Sequence, residues 1–227
     1  VIAEPLVQGA AGIIVHPKGF LKGVRELTKK YGVFLIADEV ATGFGKTGKM
    51  FACEHYLTPD ILVLGKSMGG GLLPFAGIIA REEHNTLRHR SIGHYTHEKN
   101  ALCCAAAIAE IEFIEKNNLC AHAAELGTYT MDRLREMKQR HPLIGDVRGV
   151  GLHIGIDLVT DRETRKRAVD EAEIIMFRCL EKGLSFKTIE ENIITLRPAL
   201  VITKDEMDKA LDILDETIGE VEQGAVY

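Results

Sequence analysis

The sequence predicts an α/β fold: a mainly parallel sheet covered by helices, followed by a smaller α/β domain. Three observations lead there. Continuous apolar runs at residues 33–37, 61–64 and 75–80 have the look of strands buried on both faces. Apolar residues at helical spacing fill residues 20–31, between the first strands. Near residue 140 the long helices give way to alternating, strand-like segments.

Taken in order, Val1-Ile-Ala-Glu-Pro5 reads as the first strand. The helical pattern of residues 20–31 carries basic residues near its end, where cations suit the helix dipole. The run at 33–37 ends in Asp38 and Glu39, and the run at 61–64 leads into Gly65 and Lys66. Two glycine-rich turns lie among the strands, one at residues 42–48 and one at Gly69-Gly-Gly71. Glycine lets backbone approach a ligand closely or take positive φ. Residues 100–117 and about 121–140 are long helices. Residues 147–159 then alternate like one strand, and 162–182 reads as a helix. Two short strands, 184–189 and 192–196, precede a last helix at 204–221. This places 1–140 in a large domain with its connecting helices and 141–227 in a small C-terminal domain.

The 227 residues suffice for one large or two small domains, and 46% hydrophobic content supports a sizeable core. A net charge of −5 argues against a nucleic-acid-binding surface. No stretch approaches the ~20 apolar residues of a membrane helix. Five cysteines without a CxxC spacing point to reduced thiols and a cytoplasmic setting. No signal peptide pattern opens the chain, and the missing initiator Met suggests a piece of something longer. His94 and His97 lie three apart, but no acidic or Cys partner completes a metal pattern, so no metal site is expected.

The chemistry sits where the apolar runs end. Lys66 and Asp38 are delivered to the C-terminal ends of two strands, the edge where open α/β sheets hold ligands. An amine that forms a Schiff base and a carboxylate that holds a pyridinium nitrogen are the two groups pyridoxal phosphate chemistry needs most. A nucleotide-binding enzyme is the rival, because Gly65-Lys66-Ser67 and Gly45-Lys46-Thr47 each look like the end of a P-loop. That loop needs a glycine five residues before its second glycine. Those positions hold Asp60 and Val40, so both candidates fail.

The segment from Asp38 to His55, continuing through Pro59-Asp60-Ile-Leu-Val-Leu-Gly-Lys66, resembles the class-III (ω-) aminotransferases. These are fold type I pyridoxal phosphate enzymes with an aspartate aminotransferase-like fold. The Ala41-Thr42 version looks closest to the 7,8-diaminopelargonate transaminase branch. Glu4-Pro5, Arg148-Gly-Val-Gly-Leu152 and Leu196-Arg197-Pro198 are similar to further family blocks, in order. The resemblance covers nearly the whole chain but only the later part of a family member. It implies that the earlier part carries much of the phosphate loop and the aromatic that stacks on the ring.

The resemblance also implies roles. Lys66 would form the Schiff base and then shuttle a proton, and Asp38 would pair with the pyridine nitrogen. Val40 would pack on the ring face. Thr96 would reach the cofactor phosphate of a partner subunit, which implies a homodimer with shared active sites. Arg197 would hold a substrate carboxylate, a task that suits a guanidinium fork. A loop cap at Thr96 and a surface ion pair at Arg197 are the plainer readings. Glu39, on the other side of the strand, has no expected ring contact. Many family members have Gln at Ala41, and Gly-Asn-Pro where this chain reads His97-Glu-Lys-Asn-Ala101. The expectation is an aminotransferase moving an amino group between an amino acid or ω-amine and a 2-oxo acid. A lyase, decarboxylase or racemase of the same family, or an idle truncated subunit, is the alternative.

Overall fold

A computed structural model describes residues 1–225 apart from 88, 91, 92 and 94. The elements, in chain order, are β1 (Ile2–Ala3), β2 (Val7–Gln8), β3 (Ile14–Val15), α1 (Phe20–Lys30), β4 (Ile36–Asp38), β5 (Ile61–Leu64) and β6 (Gly77–Ala80). Then come α2 (Ala101–Lys116), α3 (Leu119–Arg140), β7 (Ile144–Val150), β8 (His153–Asp161) and β9 (Lys166–Arg167). The chain closes with α4 (Val169–Glu181), β10 (Lys187–Ile189), β11 (Ile193–Leu196) and α5 (Lys204–Glu222).

Contacts divide the chain into two compact units. The first holds Val1–Leu6 and His16–Cys120; the second holds Val7–Val15 and Ala121–Tyr227. The division therefore falls at residue 120, twenty residues before the change of pattern near 140. Its cause is α3, which buries Ala123, Leu126, Leu134 and Met137 in the core of the second unit.

In the first unit β1, β4 and β5 run parallel and β6 closes the sheet antiparallel, in the order β1-β4-β5-β6. Asp60, just before β5, ties this sheet to α1. Its carboxylate takes both Nη groups of Arg25, at 2.6 and 2.8 Å, and the Leu35 N–H at 2.8 Å. α2 begins where its pattern predicts, because the Asn100 side chain accepts the N–H groups of Leu102 and Cys103.

The second unit is a five-stranded antiparallel sheet, β10-β11-β8-β7 with β9 beside β8. Ile154, Ile156 and Leu158 of β8 alternate onto the face covered by α3, α4 and α5. Each is fully buried, and such a side chain contributes about 1.5–3 kcal/mol. On the other face sits the β2–β3 hairpin, and Gly155 lets Ile13 approach. A Cβ at Gly155 would stand 2.9 Å from Ile13 Cβ.

Two expectations need correction, and one element lay outside them. Residues 147–159 are not one strand: the chain reverses at Gly151-Leu152, with Val150 paired to His153. Gly151 has φ +59, as two-residue hairpin loops demand. Residues 162–182 are not one helix. Asp161 Oδ1 accepts the Thr164 N–H and hydroxyl, both at 2.6 Å, and turns the chain into β9, so α4 starts at Val169. The β2–β3 hairpin was not expected at all.

Candidate active site

Asp38 and Lys66 leave the first unit's sheet at the same edge. β4 and β5 are parallel, with Asp38 opposite Val63. Asp38 is the last residue of β4, and Lys66 opens the short 3₁₀ turn Lys66–Gly69 just after β5. Each lies there because the apolar strand that precedes it runs to this edge of the sheet.

Asp38 is half-buried, and its Oδ1 accepts the Val40 N–H at 3.1 Å. Lys66 is exposed, and its amine makes no hydrogen bond or ion pair among the described residues. Its backbone has φ +48, a left-handed conformation that side-chain-bearing residues seldom adopt. Val40 packs against the backbone that leads into Lys66. Both its methyls lie 3.6 Å from where a Cβ on Gly65 would sit.

Glu39 turns the opposite way and is fully buried. Its Oε2 accepts the Thr42 hydroxyl at 2.6 Å and the Ala52 N–H at 3.0 Å, and its Oε1 accepts the Cys53 N–H at 2.7 Å. Burial, reinforced by the Glu39 carboxylate, pushes the Cys53 thiol up to about 12. Sequence reasoning missed this anchoring of the 42–53 loop. The signal available was strand alternation, which sets Glu39 on the face opposite Asp38.

Thr96 is exposed, in the turn where the Glu98 N–H reaches the Tyr95 carbonyl at 3.0 Å. Arg197 belongs to the second unit. It follows β11, and its Nη2 donates to the Gly9 carbonyl at 3.1 Å. There it lines a cavity of about 330 Å³ with Phe186, Lys187 and Met207. The structure thus brings Asp38, Val40 and Lys66 together. Thr96 stands on a surface turn of that unit, and Arg197 is placed only within its own. His94 lies outside the described residues, so its spacing to His97 has no structural description.

The model of the family described as aminotransferase class-III matches residues 1–218. The chain belongs to the class-III aminotransferase family. An (R)-1-hydroxy-2-aminoethylphosphonate ammonia-lyase of Vibrio splendidus is 42% identical over 208 residues, covering 91% of this chain and 43% of the relative. An adenosylmethionine-8-amino-7-oxononanoate aminotransferase of Staphylococcus aureus is 41% identical over 226 residues, covering 96% and 50%. An aminotransferase structure from Bacillus anthracis superposes with a TM-score of 0.90 at 33% identity, covering 96% of this chain and 52% of that one. The chain spans about half the length of the curated relatives it matches.

The fold is therefore that of the fold type I pyridoxal phosphate enzymes, and pyridoxal phosphate is the family's cofactor. The residues at this sheet edge fit that group. A lysine amine with no partner among the described residues and a half-buried carboxylate stand at the ends of neighbouring strands, beside a turn of glycines. A carbonyl-bearing, nitrogen-protonated ring asks for that donor set.

Proposed function

We propose that the complete protein is a pyridoxal phosphate-dependent aminotransferase. It would move an amino group between an amino acid or ω-amine and a 2-oxo acid. The observation that carries the reading is the juxtaposition of Asp38 and Lys66 at the ends of β4 and β5. When bound, the cofactor supplies an electron sink for the bonding pair released at the substrate's Cα. Lys66 Nζ would hold the cofactor's carbonyl carbon and move a proton at the substrate's Cα. Asp38 would hold the proton on the ring nitrogen. Val40 orients the ring by packing on its face. Arg197 orients the acid substrate by its carboxylate.

The active protein is a homodimer in this reading, with the Thr96 hydroxyl donating to the phosphate held by the other subunit. The exposure of Thr96 supports that reach. Five free cysteines support a cytoplasmic setting.

Borohydride reduction of the cofactor-loaded protein, followed by peptide mapping, tests the central assignment. The pyridoxyl label is expected on Lys66. A label on Lys46 or Lys49 instead would sink it. The similarity to the ammonia-lyase keeps a second reading open, elimination from an amine by the same residues. Mass spectrometry of the products separates the two. A transaminase returns a new amino acid from the oxo acid, whereas a lyase releases ammonia without any acceptor.

A further inference from the structure

Glu110 stands in the middle of α2 and reaches the glycine turn that follows Lys66. Its Oε2 accepts the Gly70 N–H at 2.8 Å. The same N–H also meets the Ser67 carbonyl at 2.8 Å, so it is shared between the turn's own acceptor and the carboxylate. Seven residues earlier, on the same helix face, Cys103 Sγ donates to the Pro74 carbonyl at 3.7 Å. α2 therefore holds the 70–74 segment at both ends.

The turn needs holding. Lys66 has φ +48, and Gly70 and Gly71 have φ +68 and +72. A side-chain-bearing residue stays in such a conformation only where its surroundings over-determine it. Only one 3₁₀ turn, Lys66–Gly69, separates the lysine from the Gly70 amide. Fixing that amide fixes the far end of the turn, and with it the direction in which the lysine side chain leaves the sheet. Glu110 is half-buried, and burial pushes its carboxyl up, with the Gly70 bond acting against that.

We propose that Glu110 is a positioning residue for Lys66. By accepting the Gly70 N–H it locks the Lys66–Gly69 turn and aims the lysine amine. The proposal rests on the reading of Lys66 as the residue that binds the cofactor covalently.

The test uses the complete protein with Glu110→Ala and Glu110→Gln. Glutamine keeps an acceptor oxygen for Gly70 and loses the charge. Two readouts do not depend on turnover. One is hydrogen exchange at the Gly70 amide; the other is the rate of borohydride-trapped labelling of Lys66 by pyridoxal phosphate. Glu110→Ala should speed the exchange about tenfold and slow the labelling about tenfold, the scale of one lost hydrogen bond. Glu110→Gln should restore both to within about threefold of the parent. In turnover, Glu110→Ala should lower kcat with the donor KM nearly unchanged. If Glu110→Ala fails to fold, Glu110→Asp, one methylene short of Gly70, should show the same two defects. Parent-like exchange and labelling in the Ala or Asp variant overturns the proposal, as does a Gln variant as impaired as Ala. A parent that takes no label on Lys66 refutes the cofactor reading instead, and the exchange measurement then decides the role of Glu110 alone.

Discussion

Asp60 grips Arg25 with both carboxylate oxygens, although the two residues lie 35 positions apart. Their side chains are only 11% and 12% exposed. The pair joins α1 to the start of β5, and the Leu35 N–H on the same carboxylate adds the approach to β4. Removing one member leaves a largely buried charge unpaired, so Asp60→Ala should cost about 3–5 kcal/mol. The Arg25 guanidinium holds the Asp60 carboxyl well below the usual carboxylate range. A lowered folded value means the contribution is complete above the ordinary carboxylate value of about 4. It fades as pH falls from there through the lowered value. Urea unfolding of parent and Asp60→Ala should give the same stability gap at pH 7 and pH 5, and a smaller one at pH 3. An equal gap at all three would show that the ionised pair is not what stabilises.

Cys53 should be chemically silent in the native protein. With its thiol pushed up to about 12, the thiolate fraction at pH 8 is roughly a thousandfold below that of an ordinary cysteine. Maleimide labelling at pH 8, read by peptide mass spectrometry, should leave Cys53 unmodified until denaturant is added. Native labelling as fast as in denaturant would contradict the burial described for the 42–53 loop.

Gly127 is the point where α3 meets the β7–β8 turn. A Cβ there would lie 2.3 Å from the Gly151 carbonyl oxygen and 2.5 Å from its Cα, both backbone atoms that cannot swing aside. Gly127→Ala should therefore destabilise by about 3 kcal/mol or more. Gly23 in α1 is the control, since nothing lies within 4 Å of its added Cβ. Gly23→Ala should stabilise by about 0.5–1 kcal/mol. Thermal unfolding of both variants checks the contrast; similar shifts in the two would refute the close approach.

Arg197→Ala tests the reaction type. Losing a charged, hydrogen-bonded contact is worth about 1.5–3 kcal/mol, a tenfold to hundredfold effect. The KM for the oxo acid should rise by that factor, and the KM for an amine donor without a carboxylate should change little. Equal effects on both half-reactions, or none, would favour the lyase reading.

What the chain disclosed of itself depended on how local the signal was. β5 was legible because Ile-Leu-Val-Leu is apolar throughout. Asp38 and Lys66 stood out because each ends such a run. The β7–β8 turn stayed hidden because Val150-Gly-Leu-His153 preserves the alternation while the backbone reverses. The start of α4 was misjudged because one side chain, Asp161, outbid the helical pattern. Strands of two residues, as in β2 and β3, are too short to show a period. The Arg25–Asp60 and Glu110–Gly70 contacts join residues 35 and 40 positions apart, and no spacing rule reaches that far.

The placement of residues 7–15 in the second unit has a consequence for biosynthesis. Gly12 accepts from Arg148, 136 residues downstream, and Gly9 accepts from Arg197, 188 residues downstream. At about 5–20 residues per second, a ribosome needs roughly 10–40 s to deliver Arg197 after Gly9. For that interval the hairpin is a nascent segment whose destination has not been synthesised, with Val7 and Ile13 awaiting burial. The first unit's sequence is translated across the gap, so the second unit can close only after the first has emerged. A pause or premature stop before Arg148 would strand those apolar residues in solvent. Chaperone dependence should therefore concentrate at residues 7–15.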